Sequence, residues 1–258
     1  MNNELKSIIE EYKKRTMKKC RVVDVTDDTP GIPDDKIGGL PYIPVGEEYP
    51  VDSKGKPMAL LMQINCKHIG LPEYPSNGIL EIFAGAELKW PWEYQLRYYS
   101  EGKEFRTDLP VVDLSEFICN RGYKITLSDG IAYMPISDYR SEDLIAEITR
   151  DLTGHEIEDI YGLEELYPRD ERSNNALWLL TESIKGEHVT IGGYADFTQE
   201  DIRPFEAEGM NMCLLKFDSI IDLKKFDIGD AGIISVLISE DDLKQRNFSN
   251  AVLTWDCT

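Results

Sequence analysis

The chain has 258 residues, enough for one large domain or two small ones, and a hydrophobic share of 41% is ample for a core. Its 28 basic and 48 acidic residues give a formal charge of −20. Such a polyanion repels phosphate backbones and anionic bilayers, which argues against nucleic-acid and membrane partners and suits a basic protein partner.

No apolar run reaches the roughly 20 residues that span a bilayer. The start, Met1 to Lys6, lacks the apolar core of a signal peptide. Five dispersed cysteines (Cys20, Cys66, Cys119, Cys213, Cys257) without a Cys-x-x-Cys pattern fit reduced thiols in a cytoplasm.

In chain order, residues 3–19 place Leu5, Ile8, Ile9 and Tyr12 at helical spacing, predicting an amphipathic first helix that docks on the body. From Val22 to Pro50 the prolines and glycines predict an ordered loop with short extended pieces. Pro57 to Asn65 reads as a buried strand, Ile79 to Ala84 as a second opened by Asn77-Gly78, and Tyr94 to Ser100 as a third. Tyr123–Ser128 and Ile131–Ile136 flank Asp129-Gly130, which predicts a hairpin with a type I′ turn and Pro135 at a sheet edge.

Ser141 is the expected N-cap of a helix with Leu144, Ile145, Ile148 and Leu152 on its apolar stripe and Gly154 just past its end. Residues 155–175 are polar and acidic and link the two parts of the chain. Asn175 to Thr181 is a short apolar piece. Strands follow at Met212–Phe217, Gly232–Ser239 and Ala251–Trp255, with Ser239 opening a short capped helix.

Ile37-Gly38-Gly39 returns 154 residues later as Ile191-Gly192-Gly193, and Gly78-Ile79 as Gly232-Ile233. This points to an internal duplication. One strand can be aligned in two ways. Constant offset matches Leu60-Leu61 with Leu214-Leu215, whereas a shift of one matches Gln63-Ile64-Asn65 with Lys216-Phe217-Asp218, and the two choices swap its faces. The expected architecture is α+β: two related β-rich halves, about 20–136 and 176–258, joined by a helical connection at about 137–175.

Lys36-Ile-Gly-Gly-Leu-Pro-Tyr42, Tyr49-Pro50 with Gly55-Lys56-Pro57, Gln63-Ile64-Asn65 and the second motif Ile191 to Asp201 together resemble the YwqG-like family, bacterial proteins built on a domain of unknown function. The resemblance covers about Lys36 to the C-terminus and implies an α+β fold with duplicated β-rich halves. It carries over no catalytic residue. The second motif departs from the family pattern, with Ala195 and Ile202 where proline is usual and Lys216 near a family glutamine.

Glycine pairs let backbone amides approach a ligand, or make tight turns. The candidate ligand contacts therefore gather at the two motifs: Lys36, Gly38, Gly39, Tyr42 and Gln63 in the first, and Gly192, Gly193, Gln199 and Asp201 in the second. Cys66-Lys-His68 falls short of the three or four ligands of a metal site and reads as a buried thiol beside a surface imidazole. The adjacent acids read as solvated caps and turns, and Trp90, Trp92 and Tyr94 as a buried aromatic cluster. No cofactor or metal is expected. The functional expectation is a non-catalytic protein-binding module of immunity or adaptor type, with a small-molecule-binding protein or unrecognised hydrolase, its pocket between the halves, as the alternative.

Overall fold

The computed structural model describes residues 2–87, 89, 91–100, 102–168, 175–218 and 225–257. Helix α1 (Asn3–Thr16) buries Leu5, Ile8, Ile9 and Tyr12, the face its sequence period marks out. Strands β1 (Lys18–Val25), β2 (Lys36–Ile37), β3 (Ala59–Asn65), β4 (Ile79–Ala84), β5 (Tyr94–Tyr99) and β6 (Tyr123–Ala132) follow. Helices α2 (Ser141–Thr153), α3 (Gly162–Leu166) and α4 (Ala176–Ile184) come next. The chain ends with β7 (Val189–Gly192), β8 (Met212–Asp218), β9 (Ile233–Ile238), α5 (Glu240–Gln245) and β10 (Val252–Asp256).

All ten strands join one antiparallel sheet in the order β10-β9-β8-β7-β1-β6-β2-β3-β4-β5. Its two ends meet through aromatic rings. Trp92 beside β5 lies 5.9 Å from Trp255 of β10, and Tyr98 of β5 lies 5.4 Å from Phe248. The sheet thus curls into a nearly closed barrel. Its interior is one apolar cluster drawn from both arms, including Leu61, Ile82, Leu215, Phe217 and Ile234. Outside, α1, α2, α3 and α4 pack over Cys20 of β1 and Ala132 of β6. The β-rich character and the N-terminal helix of the α+β expectation are present, in a mostly β fold with helices on its outer face.

The long central pair β1–β6 overturns two readings. The Asp129-Gly130 hairpin does not form, because β6 runs straight through it and pairs with β1 along its whole length, from Lys18 opposite Ala132 to Val25 opposite Ile125. Gly130 is needed there for space. A Cβ on it would lie 2.5 Å from Val22 Cγ2 and 3.0 Å from Cys20 Sγ. Asp129 forms an ion pair with Arg21 directly opposite it. Tertiary pairing has outweighed a strong local turn signal. Likewise, part of the expected loop from Val22 onward belongs to β1, at the centre of the sheet.

Smaller corrections concern ends. Ser141 is the first residue of α2 and not its cap, its hydroxyl donating instead to the Ile136 carbonyl at 2.8 Å. Leu152 of the expected stripe is 49% exposed. The apolar piece from Asn175 is a full helix, α4, with Asn175 as cap accepting from the Trp178 amide. Residues 155–168 include α3, whose Leu163 is buried, so this connection docks on the body.

Two four-stranded meanders leave the central pair on opposite sides, β2–β5 from β6 and β7–β10 from β1. Both bulge at the same place, at Leu61 between Leu60 and Met62, and at Leu214 between Cys213 and Leu215. The ladders match Gln63–Glu81 with Lys216–Ser235. The shift-of-one alignment of β3 with β8 is therefore the one the strands adopt.

Candidate functional site

The bulges turn a polar row onto the outer face of each arm. In the first arm it runs across the ladder through Lys36, Gln63 and Glu81, which are 0%, 1% and 0% exposed. Buried polar groups need partners, and here the chain supplies them to all but Glu81 Oε2, which is buried without one among the described residues. Lys36 Nζ donates to the carbonyls of Gly31 and Ile32, and Gln63 Nε2 to those of Ile32 and Asp34, at 2.5–2.9 Å. The amide of Tyr42 donates to Gln63 Oε1 and Glu81 Oε1 at 2.8 and 2.7 Å. Burial pushes the Glu81 carboxyl up to about 8 and the Lys36 amine down to about 8. The loop at 31–35 thus lies over the row and seals it.

The glycine pair below this row is a packing device. Gly38 and Gly39 have φ of 68° and 80°, and a Cβ on Gly38 would lie 2.7 Å from Cys119 Sγ and 2.8 Å from the Arg121 carbonyl. Gly192 and Gly193 repeat that conformation, at 77° and 78°, against Leu71 and Ala132. Of the second-motif candidates, Gln199 donates to the Cys257 carbonyl. Asp201 lies in a buried network in which Arg203 joins it to Asp138. Burial pushes the Asp138 carboxyl up, but the Arg140 and Arg203 guanidinium groups outweigh it and hold it below the usual carboxylate range. The structure brings Lys36, Tyr42 and Gln63 together, places both glycine pairs beneath the sheet's loops, and leaves Gln199 and Asp201 apart from them.

The second arm carries the corresponding row as Thr190, Lys216 and Ser235. Here no loop among the described residues lies on top. The row opens into a cavity of about 340 Å³ between β7–β8, residues 131–136, the end of α4 and the 185–188 segment. Thr190 and Lys216 are cross-strand neighbours in its floor, 3% and 9% exposed, and neither side chain has a hydrogen-bond or ion-pair partner among the described residues. Asp196 stands where Tyr42 stands in the first arm. Its amide meets Ser235 Oγ, and its carboxylate accepts from Ser137 Oγ at 2.6 Å and from the Phe197 amide at 3.0 Å. Asp218 pairs with His188 Nδ1 at 3.2 Å. Ile136, Ile184 and Tyr194 provide apolar wall.

The sequence reading did not select Thr190, Lys216, His188 or Asp218. The available signal was Lys216 in an otherwise apolar strand, at the position that the shifted alignment gives to Gln63. In a larger depression of about 570 Å³ at the rim of the first arm, Lys56 pairs with Glu87 and Glu93 accepts from Ser53.

Chemistry by a thiolate has no support. Burial pushes the Cys66, Cys119 and Cys213 thiols up to about 12. Cys66 is buried in a 3₁₀ turn while His68 is exposed and engaged by Asp35. Trp92 and Tyr99 are buried, and Trp90 lies outside the described residues. No group of three His, Cys, Asp or Glu side chains suited to a metal ion occurs among the described residues. None of the described helices is long and apolar enough to cross a membrane.

A model of the family described as a domain of unknown function, DUF1963, matches residues 35–257, and the chain belongs to that family. No curated protein matches it.

Proposed function

We propose that this member of the DUF1963 family is a non-catalytic binding protein whose site is the second-arm cavity. One observation carries the reading: Lys216 in the cavity floor, which has no partner among the described residues. An amine that faces a cavity and meets no acceptor of the chain among the described residues can receive one from a bound molecule. A cavity near 300 Å³, mostly apolar with a few converging polar groups, has the form of a small-molecule site.

The test is a thermal-shift screen of small metabolites on the wild-type chain and on Gly186→Leu. A Cβ at Gly186 would lie 3.9 Å from Lys216 Nζ, so a leucine there fills the cavity from its edge. Compounds that stabilise the wild type and not the variant support the site. Stabilisation of both proteins alike, or of neither, overturns it.

The charge of −20 favours a second reading, a protein-binding module of immunity or adaptor type for a basic partner in a bacterial cytoplasm. Capture of a stoichiometric basic protein from the native cells, released by salt, supports it, and a ligand-saturated chain that captures none removes it. The matched meanders further support descent of the two arms from one duplicated ancestor, and the motifs at Lys36 and Ile191 support placement among the YwqG-like members.

A further inference from the structure

The first arm displays what this scaffold's outer row binds. Lys36 and Gln63, neighbours across β2 and β3, aim their donors at three carbonyl oxygens of the chain's own loop. The row is a floor of donors for closely spaced oxygen acceptors, and in this arm the protein is its own ligand.

Thr190 and Lys216 take the same two places across β7 and β8. The segment that precedes β7 does not fold over them. Its His188 carbonyl accepts from the Asp218 amide at 3.0 Å, which extends the ladder and keeps the segment at the side of the cavity. A hydroxyl and a primary amine are left adjacent, buried and unpartnered among the described residues. The charge balance differs as well. In the first arm the row ends in the carboxyl of Glu81, whereas its counterpart Ser235 is neutral and donates to the Asp196 carbonyl. The acids around the cavity do not replace Glu81. Asp196 and Asp218 are engaged as described, and Glu182 and Glu187 are exposed.

We infer that the cavity takes a small monocarboxylate with an apolar body, its carboxylate held by Lys216 and Thr190 in the place that backbone carbonyls occupy in the first arm. This rests on the small-molecule reading of the site. Two acceptor oxygens on one carbon match two adjacent donors, and a charged acceptor on an amine makes the stronger class of hydrogen bond. The apolar wall formed by Ile136, Ile184 and Tyr194 receives the body. The four lining carboxylates disfavour ligands carrying two or more negative charges.

The experiment compares 4-phenylbutyrate and hexanoate with their primary amides, by titration calorimetry and amide chemical shifts. It uses the full wild-type chain, Lys216→Gln and Thr190→Val. Gln63 shows that glutamine is accepted at this register, so Lys216→Gln is the conservative variant. The expected result is acid binding with shifts at Thr190, Gly186 and Asp196, at least tenfold tighter than the matching amide. Lys216→Gln then loses at least tenfold for the acids and little for the amides, and Thr190→Val loses less.

Equal binding of acid and amide at those residues overturns the carboxylate inference and leaves the cavity reading standing. Shifts elsewhere, or none from either acid while a neutral compound binds the cavity, also overturn it. A third arm adds a hexapeptide with a free C-terminal carboxylate and its amidated form. If the free-acid peptide binds better than the small acids, the source is a peptide end; if the small acids bind alone, it is a metabolite. Either result sustains the carboxylate.

Discussion

The two arms share strand order, bulge position and glycine conformation, yet they treat the same outer row in opposite ways. In the first, Lys36, Gln63 and Glu81 are covered by the loop at 31–35 and anchor it. In the second, Thr190 and Lys216 face a cavity. A common backbone can therefore serve internal anchoring in one arm and line a cavity in the other, according to whether the preceding segment folds back. On the proposed reading, binding follows from the lack of a cover among the described residues and not from a new fold element.

The largest expected difference between the arms concerns the glycines. Gly38→Ala sets a Cβ against the Arg121 backbone carbonyl, which cannot yield, and should cost on the order of 4 kcal/mol. Gly192→Ala meets only the tip of Leu71, a flexible side chain, and should cost about 2 kcal/mol. Urea unfolding followed by circular dichroism measures both, and equal losses would deny that the first arm is the tighter one.

Exchanging the row residues comes next. Gln63→Lys sets a second cation beside Lys36 and removes the Oε1 that accepts from the Tyr42 amide, and should destabilise by about 2 kcal/mol. Lys216→Gln removes a cavity-facing cation with no partner among the described residues, so stability should stay within about 1 kcal/mol of wild type or rise. If Lys216→Gln were the more damaging exchange, Lys216 would be a structural anchor, contrary to its proposed role.

The smallest effect is a pH slope confined to the first arm. The Glu81 carboxyl titrates near 8 when folded and near 4.5 when unfolded, so the folded state holds the extra proton between those values. Stability from this group is fully present below about 4.5 and falls as pH rises towards 8. Glu81→Gln should flatten thermal stability between pH 5 and 8, with a gain on the order of 1 kcal/mol or more at pH 8. An unchanged slope would show that Glu81 ionises freely in the fold.

Much of this was legible in the sequence where local and tertiary signals agreed. The stripe of α1, the strand Ile79–Ala84, the Ser239 cap of α5 and the paired glycine motifs all stand at their expected places. The centre of the sheet was hidden because β1 carries Lys18, Lys19, Arg21 and Asp24 and lacks the apolar run of a central strand. Asp129-Gly130 misled because glycine serves close approach as well as turns. The cavity was invisible because it depends on where the described residues leave the row uncovered, and a strand's sequence does not report what covers its outer face. Only the pairing of Gln63 with Lys216 hinted that the two rows differ.

The meeting of Trp92 with Trp255, and of Tyr98 with Phe248, has a mechanical consequence. The ring of strands is fastened there by rings and not by a hydrogen-bonded ladder, so β5 and β10 form a seam. Each keeps one strand edge outside the ladder, and β5 packs there against the turn at Phe248–Asn250. When the molecule breathes, the parting begins at this seam, and the amides of β5 and β10 exchange with solvent before those of the central β1–β6 pair.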